Sequence, residues 1–227
     1  MNTLEICVDT PDDLVAAIEA GVDRIELCCA LDLGGLTPSP GLIEAAKSSP
    51  VPIYAMIRPR GRDFVYSEAE LVSMEADIQA MRYAGFAGVV FGALTRKGQL
   101  DVSALKRLCA ASDGLGMTLH RAVDEMDPPM AAIKTAIALG FERILTSGGA
   151  GTAVEGVNEI AAMISAADGQ IEIMAGSGVS FRNIDLLRKA NVWSFHASCR
   201  EKSNADSCAK LNINSLRKTL AEVRSNQ

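Results

Sequence analysis

The chain has 227 residues, 48% of them hydrophobic and 22% charged, and a formal net charge of −6 at pH 7. This length suits one barrel-sized domain, and we expect a single domain over residues 1–227. Nucleic acids and anionic membranes are disfavoured as partners, because their phosphates attract basic surfaces. We also expect a cytoplasmic protein, since neither a signal peptide nor an apolar run of membrane-spanning length is visible.

A short phrase recurs along the chain and predicts alternating helices and strands. In each copy a helical stretch is followed by a cap residue, Gly21, Gly85, Gly140 or Asn191, and then by an apolar segment. Glycine adopts the left-handed conformation of a helix C-cap without a steric cost, and asparagine is the next best residue. Repetition of helix, cap and strand is typical of wound βα structures.

Eight segments rich in valine, isoleucine and leucine are predicted to be buried parallel strands. They lie near residues 4–9, 23–29, 52–58, 88–94, 116–122, 143–147, 171–176 and 193–199. Eight units in one chain favour a closed (β/α)8 barrel of the TIM type, with an open parallel sheet as the alternative. In both architectures a functional site is expected in the loops that follow the strands.

Capping signals predict several helix boundaries. Pro11 suits the first turn of a helix, and Ser67 with Glu70 forms a capping-box pattern that opens a long helix. Asp127, followed by two prolines, predicts another helix with the aspartate as its cap. A last helix is predicted from Asn212 to Ser225.

Charged, histidine and cysteine residues occur on the parity of several strands that should face the barrel interior. These residues include Glu5, Cys7, Arg24, Glu26, Cys28, Arg58, His120 and His196. Because an unpaired buried charge is costly, we expect the two glutamates to pair with Arg24 or Arg58, or to line a wet cavity. A buried ion-pair network that only stabilises the barrel is the alternative interpretation.

Polar residues also gather where strands end. His120, Arg121 and Asp124 follow strand 5 and suit an acid–base group, an anion clamp and an orienting carboxylate. His196 and Ser198 end strand 8, so both histidines of the chain fall at strand ends. A lone histidine is also common as a structural hydrogen-bonding residue.

The sequences of the loops after strands 6 and 7 predict a phosphate-binding site. Ser147 ends strand 6, and Gly176 and Gly178 lie between strand 7 and a helix predicted to begin at residues 180–183. Glycines let the backbone approach a ligand, and a helix N-terminus offers free N–H groups to an anion. A tight turn without a ligand is the alternative.

Six cysteines allow a thiolate metal site. They are Cys7, Cys28, Cys29, Cys109, Cys199 and Cys208, and they include no CxxC pair. Strands 8, 1 and 2 are neighbours in a closed barrel, so cysteines on these strands could approach one another, and thiolates are preferred ligands of Cu(I). Parity places Cys199 opposite to His196, however, and a buried free cysteine often acts as a small apolar side chain.

Nine phrases resemble the CutC family of copper homeostasis proteins. They are LEICVD (4–9), DRIELC (23–28), GGLTPSPGLI (34–43), MIRPRGRDFVYS (56–67), GVVFGAL (88–94), HRAVD (120–124), RILTSGG (143–149), IMAGSGV (173–179) and FHAS (195–198). Val123 stands where the family usually has phenylalanine, and Arg62 replaces a common glycine. The resemblance implies a TIM-type barrel, a cytoplasmic homo-oligomer (dimer or tetramer) and a copper-linked role. Cys7 and Cys28 match the conserved cysteines of the family.

Two main functions therefore remain open. One is binding of Cu(I) by the thiolates of Cys7 and Cys28. The other is an enzyme for a small anionic or phosphorylated metabolite, for which Arg58 and Arg121 would hold the anion and Ser147 with residues 176–178 would cradle phosphate. Its acid–base groups would be Glu5, Glu26 and His120. A Schiff-base aldolase is disfavoured because the predicted strands carry no interior lysine, and a pure scaffold is a third interpretation.

Overall fold

The computed structural model describes residues 2–202 and 209–225 and contains a closed barrel of eight strands in chain order, all parallel. The strands are β1 (Thr3–Val8), β2 (Arg24–Leu27), β3 (Ile53–Met56), β4 (Gly88–Phe91), β5 (Gly116–Leu119), β6 (Arg143–Thr146), β7 (Glu172–Ala175) and β8 (Ser194–Ala197). Since β8 pairs with β1, no edge is left open. The predicted (β/α)8 barrel is confirmed, and the open sheet is excluded.

Helices follow the strands and form the outer layer. They are α1 (Pro11–Ala20), α2 (Pro40–Ala46), α3 (Glu68–Tyr83), α4 (Val102–Ala111), α5 (Ala132–Ala138), α6 (Val157–Ala167), α7 (Ile184–Lys189) and α8 (Ile213–Arg224). After β8, β9 (Arg200–Lys202) pairs antiparallel with β10 (Ala209–Leu211), a small sheet that was not predicted from the sequence. Among the helices of the described residues, none has both the length and the apolar character needed to cross a membrane.

The cap residues behave largely as predicted. Gly21, Gly85, Gly140 and Asn191 all have φ between 62° and 80°, in the left-handed region. Ser67 forms the predicted capping box at the start of α3. The prediction that Asp127 caps a helix is wrong, because a 3-10 turn over Pro129–Ala131 comes first and α5 follows it directly.

The apolar core lies between the outer faces of the strands and the helices. Leu4, Ile6 and Val8 of β1 point into this layer and are fully buried. The alternate residues point inward and are largely polar, as their parity predicted. The barrel interior therefore contains charged groups that need internal partners.

At the N-terminal end of the barrel, a tyrosine ring fills the interior. The guanidinium of Arg24 stacks on the Tyr54 ring at 3.3 Å from the ring centroid, and the Tyr54 hydroxyl donates to Glu142 at 3.2 Å. A Cβ atom at Gly88 would lie 2.2 Å from the Tyr54 ring, and one at Gly116 would lie 2.6 Å from its hydroxyl. The two glycines make room for the ring.

We predict that Gly88→Ala destabilises the protein by about 1–3 kcal/mol, because the new methyl group overpacks the interior against Tyr54. Urea denaturation measures this loss. The control is Gly41→Ala in α2, where a Cβ atom meets open space and a helix favours alanine by up to about 1 kcal/mol. Equal stability of the two variants would contradict the proposed packing.

Candidate functional site at the mouth of the barrel

Strand register brings the central charged residues together. Glu5 on β1 lies beside Arg24 on β2 and beside His196 on β8, while Cys7 lies beside Glu26. Since all five residues have interior parity, their side chains meet inside the barrel. Residues almost the whole chain length apart thus form one cluster.

Glu5 is the fully buried centre of this cluster. Arg24 donates to one carboxylate oxygen of Glu5 and, at 2.9 Å, to the hydroxyl of Thr118. The His196 Nδ1 lies 2.7 Å from the other carboxylate oxygen. Burial alone would raise the pKa of Glu5, but the charges of Arg24 and His196 outweigh it and lower this pKa to about 2. Glu5 is therefore an ionised structural partner.

Cys7, Glu26 and His196 form the group next to Glu5. One potential ligand atom from each of them lies within 4.8 Å of those of the other two. The Glu26 Oε1 is buried and has no hydrogen-bond partner among the described residues, while its Oε2 accepts from the Cys28 thiol at 3.3 Å. Burial raises the pKa of Glu26. For His196, the interactions with its neighbours Cys7, Glu26 and Glu5 outweigh burial and raise the pKa well above its ordinary value.

A cavity of about 770 Å³ opens above this group at the C-terminal end of the strands. Its volume lies within the range of small-molecule sites. The predicted site residues that line it are Cys7, Glu26, Arg58, His120, Arg121, Asp124, Gly178, His196 and Ser198. Four other predicted site residues do not line the cavity: Glu5, Cys28, Ser147 and Gly176.

Arg58 carries a buried positive charge at the cavity and is only 6% exposed. Its Nη atoms donate to the backbone carbonyls of Leu33, Gly35 and Arg62 at 2.9–3.4 Å, and its guanidinium packs over Phe64. No carboxylate within the described part of the chain forms an ion pair with it. The predicted pairing of Arg58 with a glutamate is therefore not formed, because the loops after β2 and β3 supply carbonyl partners instead.

His120 presents a neutral ring to the cavity. Its Nδ1 accepts the N–H of Ala122 at 3.2 Å, so the ring proton is on Nε2, which has no partner among the described residues. Burial, with the nearby charge of Arg58, lowers the pKa of His120 to about 3. His120 can therefore donate one hydrogen bond, but it is a poor base at neutral pH.

Asp124 organises the loop after β6 and does not bond to His120. Its carboxylate accepts from the side chains of Arg121 and Thr146 and from the backbone N–H groups of Ser147 and Gly149. The Ser147 hydroxyl is held by Ala150, Asp124 and Arg121. These groups are engaged with one another, so the predicted roles of Asp124 as an orienting residue for His120 and of Ser147 in binding phosphate gain no support.

The glycine loop after β7 lies only partly on the cavity. Gly178 lines it with φ at 72°, whereas Gly176 packs against Leu145. The next helix begins at Ile184, beyond the predicted residues 180–183, and has only six residues. The predicted helix N-terminus therefore does not adjoin the glycines.

Cys199 and Cys29 have contacts outside the cluster. Cys199 packs towards α8, where its sulfur lies 3.6 Å from the Thr219 hydroxyl, as its parity predicted. Cys29 donates to the Thr37 carbonyl at 3.0 Å. Cys208 falls outside the described residues.

Comparison with known proteins now identifies the family. The profile of the CutC family matches residues 2–201. The chain belongs to the CutC family. A CutC family protein of Sinorhizobium medicae is 52% identical over 204 residues, which cover 89% of this chain and 83% of the relative.

Two further relatives agree. The human copper homeostasis protein cutC homolog is 43% identical over 215 residues, which cover 94% of this chain and 78% of the human protein. The solved structure of a CutC protein from Streptococcus agalactiae is 34% identical and superimposes with a TM-score of 0.83, over 87% of this chain and 99% of that chain. Membership of this copper homeostasis family confirms the resemblance found in the sequence.

Two residues of this CutC site were not predicted from the sequence. Phe64 contacts both the guanidinium of Arg58 and the ring of His120, each at 4.7 Å between group centres. Arg200 lines the cavity while it pairs with Asp9 and Asp13. Phe64 lies in the loop after β3 and Arg200 begins the short strand β9, and neither falls in a periodic sequence pattern. The only available signal for Phe64 was an aromatic residue within the arginine-rich segment 56–67.

Copper, the ion associated with the family name, fits part of this donor set. A thiolate and an imidazole, as in Cys7 and His196, are ligands that copper sites use. Cys28 lies outside the three-residue group, and burial with the charge of Glu26 raises the pKa of its thiol well above the ordinary value. A carboxylate such as Glu26 is a harder ligand than Cu(I) prefers.

We predict that His120→Asn reduces the pH dependence of stability. Unfolded histidine has a pKa near 6.5, against about 3 for folded His120, so the unfolded chain binds more protons between these values. The stability from this group is present above pH 6.5 and is lost as the pH falls. Between pH 7 and pH 5 the original protein should lose about 2 kcal/mol more than the variant in urea unfolding.

Asparagine is a suitable replacement because its side-chain oxygen can still cap the turn at Ala122. Parallel pH profiles of the two proteins would show that His120 is not buried in its neutral form.

Proposed function

We propose that this CutC family member is an enzyme that acts on a small anionic or phosphorylated metabolite bound at the mouth of the barrel. The observation that carries the proposal concerns Arg58. Its guanidinium is buried in the cavity wall and donates to neutral backbone carbonyls. A buried charge without a counter-charge is costly unless a ligand supplies one. An anion that enters the cavity would do so.

His120 supports an anionic ligand in a second way. Its Nε2–H lacks a partner in the described chain and belongs to a residue that is 3% exposed on the same wall. An unsatisfied buried donor typically costs about 1–3 kcal/mol. A ligand oxygen would accept this hydrogen bond. Arg58 would then balance the charge of the ligand, and His120 would fix its orientation.

Acid–base chemistry is assigned to Glu26 and His196 at the base of the cavity. Both line it, and their nearest charged atoms are 3.9 Å apart. Glu5 bonds to the far side of the His196 ring and orients it. Glu5 itself, which was a sequence candidate for proton transfer, is here proposed as the orienting residue because it does not line the cavity.

We predict that inorganic phosphate, a phosphate monoester or a small hydroxycarboxylate raises the melting temperature of the protein. Arg58→Gln should weaken this binding at least about tenfold through loss of a charge-assisted hydrogen bond. His120→Asn should weaken it about fivefold to tenfold through loss of one neutral hydrogen bond. Thermal-shift titrations give the apparent Kd values.

Arg107→Gln is the control, since it removes one positive charge from the exposed face of α4, away from the cavity. Anions that stabilise Arg58→Gln as well as the original protein would refute the assigned binding site. Turnover of a stabilising anion is followed by proton NMR, with His196→Gln as the inactive comparison.

A second candidate function is Cu(I) binding by the thiolates of Cys7 and Cys28. The supporting observation is that the Cys28 thiol donates to Glu26 at 3.3 Å, and Glu26 belongs to the same group as Cys7. The human relative carries copper homeostasis in its name. This role would make the polar mouth a route for the ion.

For this second function we predict that Cys7→Ser and Cys28→Ser each weaken Cu(I) binding, because each removes a soft ligand. An anaerobic competition titration against a chromogenic chelator measures the affinity. The loss should exceed the roughly 10–100-fold that an outer-shell substitution costs. Glu26→Gln is the control that should retain Cu(I), and failure of the original protein to compete would exclude the role.

The cytoplasmic location and the homo-oligomeric state are part of the same proposal. They are supported by the family resemblance, with a dimer or tetramer as the expected assembly.

A further inference from the structure

We propose that Cys7, Glu26 and His196 bind one divalent transition-metal ion of the Zn²⁺ type, with an open coordination position that faces the cavity. The three residues lie on adjacent strands β1, β2 and β8, and all three line the cavity. The inference rests on the proposed enzymatic function and changes one assignment in it. With the ion bound, Glu26 and His196 would be its ligands, and the ion would supply the acid–base or Lewis-acid chemistry that was assigned to them.

The distances are close to those of a three-ligand site. The potential ligand atoms lie within 4.8 Å of one another, and the His196 Nε2 is 3.9 Å from the Glu26 Oε2. Around a tetrahedral zinc ion with bonds of about 2.0–2.3 Å, ligand atoms lie roughly 3.3–3.8 Å apart. Small side-chain rotations would therefore close the site, and no strand needs to move.

His196 is oriented in the manner of a metal-binding histidine. Its Nδ1 lies 2.7 Å from a carboxylate oxygen of Glu5, which leaves Nε2 directed towards Cys7 and Glu26. Metal-binding histidines commonly donate their other ring N–H to such a carboxylate. Arg24 pairs with the second oxygen of Glu5 and keeps this carboxylate in place.

Glu26 has one carboxylate oxygen that is satisfied and one that is not. Its side chain is 3% exposed, and its Oε1 has no hydrogen-bond partner among the described residues. Leaving a buried carboxylate oxygen unpaired is costly. A metal ion between Glu26, Cys7 and His196 would remove that cost.

The donor types select the class of ion. One sulfur, one imidazole nitrogen and one carboxylate oxygen form the mixed set that zinc accepts, whereas Mg²⁺ and Ca²⁺ prefer oxygen ligands and Cu(I) prefers sulfur. Three protein ligands leave a fourth position open, as in catalytic zinc sites. With Arg58 on the same cavity, the ligand class narrows to anions that carry a second oxygen donor, such as hydroxycarboxylates, ketocarboxylates and phosphate esters.

Cobalt substitution tests the site. Metal-free, reduced full-length protein is titrated with Co²⁺, and we expect a thiolate-to-cobalt charge-transfer band and visible bands of tetrahedral Co²⁺. Cys7→Ser should abolish the charge-transfer band. Glu26→Gln and His196→Gln should weaken Co²⁺ and Zn²⁺ binding by more than about 100-fold, beyond the usual effect of an outer-shell change.

Cys28→Ser and Cys29→Ser are the matched controls, because each removes one thiol from the segment that follows β2 while the three proposed ligands remain. Both should retain the cobalt spectrum, and circular dichroism checks that every variant is folded. Absence of the band in the original protein, or an equal loss in Cys28→Ser and Cys7→Ser, would overturn the inference.

Phosphate binding is measured in parallel on the metal-free protein. Stabilisation by phosphate that depends on Arg58, without any cobalt spectrum, would retain the proposed function and remove only the metal ion. A cobalt spectrum without any anion binding would retain the metal site and refute the proposed anion pocket.

Discussion

The buried Arg24–Glu5–His196 chain is the interaction on which the interior of this barrel depends. Glu5 is fully buried, and it remains ionised because two cationic groups on the flanking strands bond to its two oxygens. Apolar residues of similar volume often stabilise a core as well as a buried ion pair does. Stability alone therefore does not account for this network, whereas the fixed orientation of the His196 ring towards the cavity does.

Buried positive charges have different partners at the two ends of the barrel. Towards the N-terminal end, the charge of Arg24 is balanced by Glu5 and its guanidinium stacks on Tyr54. At the mouth, Arg58 is just as buried but bonds to carbonyls, and the Nε2 of His120 is unsatisfied. Because Arg58 lacks a counter-charge and His120 lacks an acceptor among the described residues, a ligand is needed at the end where barrel enzymes bind substrates.

Local patterns predicted the fold and the inward parity, but not the contacts. Cap residues such as Gly21 and Gly140 mark the ends of helices, and the apolar runs that follow them mark strands. Both signals can be read from the sequence because these conformational preferences are local. The contact of Glu5 with His196 joins residues 191 positions apart and follows from barrel closure. Asp127 failed as a cap because the chain first forms a 3-10 turn, which the same residues permit.

The two cysteines predicted as metal ligands also show that strand parity does not determine which side chains come into contact. Cys7 lines the cavity with Glu26 and His196, whereas Cys28 packs with Met56 and Val90, and the Gly35 backbone approaches its sulfur. A two-thiolate site would require Cys28 to leave this apolar packing and to lose a proton that burial and Glu26 retain. An ion that accepts sulfur, nitrogen and oxygen needs no such rearrangement, because register has already placed the three donors together.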